Sequence, residues 1–131
     1  MSIIKLPNIK DGRGELSFVE NKSHIPFEIK RVFYLYNIPD GAERGGHAHK
    51  KCQQLIIPIS GSFYVTLKNG IDGCRYRLDN PSEALYVAPY IWNELSYFAP
   101  KSVCLVLASE LYDELDYIRN YQDFLDVVKR I

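Results

Sequence analysis

The sequence predicts an all-β domain, a sandwich or barrel, carrying one short C-terminal helix. Three observations point there. Between residues 15 and 109, Tyr, Val, Ile and Phe gather in short runs, and β-branched and aromatic side chains suit a pleated, half-buried surface. The breaks between runs hold Pro-Asp-Gly, Ser-Gly, Asn-Gly, Asp-Gly, Asp-Asn-Pro and Ala-Pro, which make turns, and their spacing is that of a sandwich or barrel. Helical periodicity is confined to the tail, where Tyr121, Phe124, Leu125 and Val128 fall at i, i+3, i+4 and i+7.

Taken in order, the predicted strands are "ELSFVE", "IKRVFYLYNI", "HAHKKCQQLIIPIS", "SFYVTLKNG", "CRYRLD", "ALYVAPYIWNELSYF" and "SVCLVLAS". In "SFYVTLKNG", Phe63, Val65 and Leu67 alternate with Ser62, Tyr64, Thr66 and Lys68, as one buried and one wet face require. Asn69-Gly70 supplies positive φ for a tight turn. Asn120, with Asp123 three residues on, is the predicted N-cap of the tail helix. No repeat, low-complexity tract or linker interrupts the 131 residues, so a single domain over 1–131 is expected.

Charge narrows the function. Sixteen basic side chains balance sixteen acidic ones, which argues against general attraction to nucleic acid or anionic membrane. No apolar run approaches the ~20 residues that span a bilayer, and "MSIIKLPNIKDGRG" lacks signal-peptide architecture. Cys52, Cys74 and Cys104 form no Cys-x-x-Cys pair and no even set, and are read as free buried thiols. A cytoplasmic protein with a small-molecule partner is expected.

His47 and His49 carry the chemistry. On a strand they project from one face, about 6 to 7 Å apart, and can share a metal or flank one substrate. The series Gly41, His47, His49, Gln54, Gly61 resembles the first signature of the cupin β-barrels, with Gln54 where cupins have Glu; counted one residue earlier, the position is Gln53. The second signature would supply a histidine near "PYIWNEL", but Asn93 follows Trp92. Neutral imidazoles binding a divalent ion normally need a carboxylate or thiolate beside them. No metal is therefore expected, and His24, before a Pro turn, reads as a surface residue. The alternative is proton transfer: Arg44-Gly45-Gly46 offers a guanidinium fork and close backbone approach, and a neutral imidazole can take a proton from carbon next to a carbonyl.

"DGRGEL", "IPFEIKRVFYLYNIPDGAERGGHAHKKCQQ", "LYVAPYIWNEL" and "ASELYDELDYIRNYQDF" together resemble the dTDP-sugar 3,4-ketoisomerases of the cupin superfamily over nearly the whole chain. The resemblance implies a cupin jelly-roll barrel and isomerisation of a dTDP-linked 4-keto-6-deoxyhexose through an enediol intermediate, without cofactor or metal, supplying deoxy-amino sugars for bacterial surface glycans. It implies that His47 and His49 line the sugar pocket, with His49 favoured as base at C3. His47 or a tyrosine would move the hydroxyl proton, Tyr34 being favoured and Tyr36 sharing its face. Arg44 would serve the diphosphate or the sugar and Arg13 the nucleotide; Lys51 shares strand parity with His47 and His49 and is a further candidate to reach inward, and Asn93 can orient a hydroxyl. It implies homodimers, often with exchanged N-terminal strands. Trp92 is read as barrel core, and Asp113, Glu114 and Asp116 as part of a structural turn rather than as catalytic groups. A non-catalytic sugar-nucleotide-binding cupin and a 3,5-epimerase are the alternatives.

Overall fold

The structure, a computed structural model, describes residues 2–21 and 23–131. Among these residues twelve strands run in chain order: β1 Ile3–Lys5, β2 Asn8–Asp11, β3 Gly14–Ser17, β4 Arg31–Leu35, β5 Arg44–His49, β6 Gln54–Ser60, β7 Phe63–Lys68, β8 Gly73–Leu78, β9 Glu83–Val87, β10 Trp92–Ser96, β11 Val103–Ala108 and β12 Tyr117–Ile118. Among the described residues one α-helix, α1, spans Tyr121–Val128, and a single 3-10 turn covers Glu114–Asp116. Ten strands form two antiparallel five-stranded sheets, ordered β1-β9-β6-β11-β4 and β12-β5-β10-β7-β8, and β2-β3 is a separate hairpin. The sheets lie face to face as a jelly-roll sandwich.

Alternation decides which side chains meet between the sheets. Phe63, Val65 and Leu67 are buried there with Ile56, Leu95 and Val106, while Tyr64, Thr66 and Lys68 stay partly exposed. A second apolar layer lies on the outer face of the first sheet, where Leu55, Ile57 and Leu107 are covered by Leu6, Ile25 and Phe27. A third lies outside the second sheet, where Phe124 of α1 packs on Ala48 and Trp92. Trp92 is thus core, 4% exposed, with its Nε1–H donating to Glu94 at 2.8 Å. Asn120 caps α1 as expected, its Oδ1 accepting from Asp123 N–H at 2.9 Å.

Several strands differ from expectation for local reasons. The run from His47 to Ser60 is two strands on opposite sheets, because residues 50–53 turn across the sandwich; the run from Ala84 to Phe98 breaks at Pro89-Tyr90, where Tyr90 has φ +58°. In "ELSFVE" only Glu15–Ser17 pairs, within β3. Strands β1, β2 and β12 were not expected, being short, mostly exposed or, in β12, two residues long. Gly70 has φ +97°, and Asn69 Oδ1 accepts from both Ile71 N–H and Asp72 N–H, so the predicted turn is a four-residue loop. Cys52 and Cys104 are buried free thiols, whereas Cys74 is exposed.

Candidate active site

The site begins with the conformation of β5. Gly45 and Gly46 have φ +80° and +75°, and a Cβ on Gly45 would sit 2.9 Å from Asn93 Oδ1. Glycine lets β5 press against β10 here, with Asn93 opposite His47 and the register shifting at the next residue. Asn93 is buried, and its Nδ2–H donates to the His47 carbonyl at 3.2 Å. Beyond the glycines the strand is regular, so His47 and His49 share the inner face and Ala48 points out to α1. The imidazole centroids are 5.1 Å apart at an interplanar angle of 83°.

β12 returns along the other edge of β5, pairing Tyr117 with His49. That register places Asp116 beside His49: Nδ1 lies 2.9 Å from Asp116 Oδ2, with the two residues 3% and 9% exposed. Asp116 Oδ1 accepts from Lys51 N–H at 2.7 Å and Oδ2 also from Cys52 N–H at 3.2 Å. A carboxylate so held accepts the Nδ1–H of His49 and fixes the tautomer whose Nε2 carries the lone pair. Nε2 lies 3.4 Å from Gln54 Nε2, an amide donor. Burial pulls the His49 pKa below its ordinary value, partly opposed by Asp116 and reinforced by Arg31 and Arg119. The His47 pKa falls further, to about 4, through burial first and then the nearby His49 and Arg119 charges. Both rings are neutral at pH 7. Tyr117 packs on both, with centroids 5.0 Å from His47 and 4.3 Å from His49.

Between the sheets a cavity of about 90 Å³ is lined by His47, Arg44, Gly45, Gln54, Asn93 and a wall including Phe33 and Leu35. His47 faces it directly; His49 stands behind, aimed at the lining residue Gln54. Arg44 and Asn93 are thus brought to the pair. Four other expected residues are not. Tyr34 lies on the opposite face of β4 from Phe33 and Leu35, because side chains alternate along a strand, and Tyr36, just past the end of β4, packs beside it with ring centroids 5.7 Å apart; each is 59% exposed. Lys51 lies beyond the end of β5, so its strand parity is lost; only its backbone N–H serves the site, through Asp116. Arg13 is at the β2-β3 hairpin tip, 92% exposed and paired with Asp11. His24 is half-buried in a loop, its Nδ1 accepting from Glu20 N–H at 3.1 Å.

Sequence reasoning passed over Asp116 and Tyr117, taking their segment for a turn. No local pattern marks them, since the contact to His49 spans 67 residues. Asp116, His49 and Cys52 hold potential ligand atoms within 4.8 Å of one another. Hydrogen bonds already engage the carboxylate and Nδ1, and Cys52 Sγ donates to the Gln53 carbonyl at 3.4 Å.

A family model described as WxcM-like, C-terminal (FdtA) matches residues 1–129. The chain belongs to the WxcM-like family. Among its relatives, the TDP-4-oxo-6-deoxy-alpha-D-glucose-3,4-oxoisomerase of Aneurinibacillus thermoaerophilus is 41% identical over 129 residues, covering 98% of this chain and 93% of the relative. The sugar 3,4-ketoisomerase QdtA of Thermoanaerobacterium thermosaccharolyticum, solved with TDP, is 43% identical with a TM-score of 0.96, over 98% of this chain and 94% of its own. A histidine-to-asparagine variant of QdtA was solved with TDP-4-keto-6-deoxyglucose. The dTDP-4-dehydrorhamnose 3,5-epimerase of Bacillus anthracis, at 17% identity and a TM-score of 0.77 over 88% of this chain and 75% of its own, shares the fold alone.

Proposed function

We propose that this protein is a 3,4-ketoisomerase of a TDP-linked 4-keto-6-deoxyhexose, moving the keto group from C4 to C3 on the way to deoxy-amino sugars. His49, held by Asp116, takes the C3 proton through Nε2. The C3–H electron pair forms a C3=C4 bond while the C4=O4 π pair moves onto O4. His47 carries the hydroxyl proton between O3 and O4. Return of a proton to C4 then leaves the ketone at C3. Every step moves protons only, so no redox cofactor enters. In this scheme Tyr117, rather than Tyr34, is the tyrosine walling the two rings, and Arg44 and Asn93 meet the substrate at the cavity.

The observation that carries this reading is a pair of adjacent imidazoles at the cavity, His47 on its wall and His49 behind it and backed by a buried carboxylate, in a member of the WxcM-like family. A metal-dependent route is disfavoured by donor chemistry, since Gln54 and Asn93 present amides where cupin ligand patterns call for a carboxylate and a histidine. Incubation with TDP-4-keto-6-deoxyglucose in heavy water, with and without chelator, tests the proposal by proton NMR. A 3-keto product formed at equal rate in both is expected. Absence of product identifies a binding module, deuterium at C3 and C5 with the ketone still at C4 identifies an epimerase, and loss with chelator identifies a metal enzyme.

The working unit in this proposal is a homodimer in the cytoplasm. Hairpin β2-β3 is exposed at every residue, with Ile9 and Leu16 at 59% and 56%. An apolar groove of about 680 Å³, including Phe18, Val32, Ile59 and Leu105, crosses the outer face of the first sheet. Pairing through that face, with the hairpin crossing to the other subunit, covers both and carries Arg13 to a partner's substrate.

A further inference from the structure

Arg31 is a buried-edge cation that the scheme above leaves without a role. Two guanidiniums lie close enough to His49 to depress its pKa, Arg31 and Arg119. Arg119 is committed, bonded to Glu114 through Nε at 2.6 Å and Nη2 at 2.9 Å. Arg31 makes no ion pair among the described residues, and its Nε is buried without a hydrogen-bond partner. Leaving such a donor unmet is unfavourable, and a bound oxygen would relieve it.

Register shows where the side chain sits. Arg31 on β4 pairs with Ala108 on β11, which pairs with Gln54 on β6. The three form one row across the inner face of the first sheet, at the level of His49. Gln54 contacts His49 Nε2, and the methyl of Ala108 leaves the middle of the row low. The guanidinium stacks 5.2 Å from the Phe33 centroid, on a ring that lines the cavity, and 5.7 Å from Tyr112.

We propose that Arg31 binds the reacting oxygens of the sugar, its N–H fork donating to O3 and O4 and stabilising the enediolate formed when C3 loses its proton. The inference rests on the ketoisomerase reading. When the proton passes to His49 Nε2 and the C3–H pair becomes the C3=C4 bond, negative charge gathers on O4. O3 and O4 then lie in one plane, and a planar guanidinium meets such a pair bidentately in a way an ammonium cannot.

Full-length Arg31→Met, Arg31→Lys and Arg31→Ala proteins test this beside the wild type, with kcat and KM measured on TDP-4-keto-6-deoxyglucose and TDP affinity measured by calorimetry. Removing a charge-stabilising donor should lower kcat of Arg31→Met by roughly 10²- to 10³-fold while TDP affinity stays within about twofold. Free guanidinium ion should restore part of the Arg31→Ala rate, which a purely structural role would not allow. Arg31→Lys, the variant to read if Arg31→Met fails to fold, should remain impaired because it keeps charge without the fork. Unchanged kcat in any variant overturns the proposal. So does a raised KM with matching loss of TDP affinity, which would assign Arg31 to the diphosphate. A wild type without turnover sinks the ketoisomerase reading and this inference together, whereas an active wild type with unaffected variants sinks this inference alone.

Discussion

In the proposed scheme, Asp116 turns an ordinary histidine into a base with a defined lone pair. In Asp116→Asn, one amide oxygen cannot serve His49 Nδ1–H and the Lys51 and Cys52 N–H groups together. If the NH2 faces Nδ1, the tautomer inverts and Nε2 becomes protonated. Activity should fall by up to about 10⁴-fold, the loss that a wrong tautomer produces in a Ser-His-Asp triad. Because Asp116 raises the His49 pKa, the acid limb of the remaining activity should move to lower pH; a limb that stays put would show that the pair is not coupled. His49→Asn should abolish turnover, and survival of activity would transfer the base role to His47. Stability has its own sign. Both folded imidazoles have pKa values below the ordinary 6.5, so an unfolded chain binds protons first as pH falls. Stability is full above pH 6.5 and declines toward pH 4, with His47 alone accounting for on the order of 3 kcal/mol. Urea midpoints at pH 7.5, 6 and 4.5 should fall in that order.

At the scale of elements, the site depends on how closely β5, β10 and β12 approach one another. Gly45→Ala places a methyl against Asn93 at a positive φ, and should destabilise the fold by about 1–3 kcal/mol while displacing the His47 carbonyl from the Asn93 amide. Helix α1 supports β5 from behind through Phe124, fully buried and with its ring centroid 5.7 Å from that of Trp92. Phe124→Ala should remove roughly 3–5 kcal/mol of stability. Since Trp92 is the sole tryptophan, its fluorescence reports that loss directly; an unchanged unfolding midpoint would show that α1 is dispensable.

For the molecule as a whole, the dimer proposal makes a complementation prediction. If each site joins His49 of one chain to Arg13 of the other, His49→Asn and Arg13→Ala proteins should each be impaired alone. Exchanged in equal amounts, half the dimers would hold one intact site, recovering roughly a quarter of the wild-type rate. No recovery, with mixed dimers shown by mass, would place Arg13 on its own subunit's site. Substituting Val32 by Asp on the outer face should yield monomers by light scattering.

The sequence by itself determined the periodic features: strands with one apolar face, the capped tail helix, and His47 and His49 pointing the same way. These follow from local alternation and capping, which a short stretch of chain encodes. It also marked Arg44 and Asn93 through the motifs around them. Tertiary structure decided the rest. Tyr34 turned away from the cavity because Phe33 and Leu35 took the inner face of β4, and Lys51 lost its parity when β5 ended. Asp116, Tyr117 and Arg31 reached the histidines only through strand pairings and the facing of the two sheets, and such meetings leave no periodic trace because the partners are far apart in the chain.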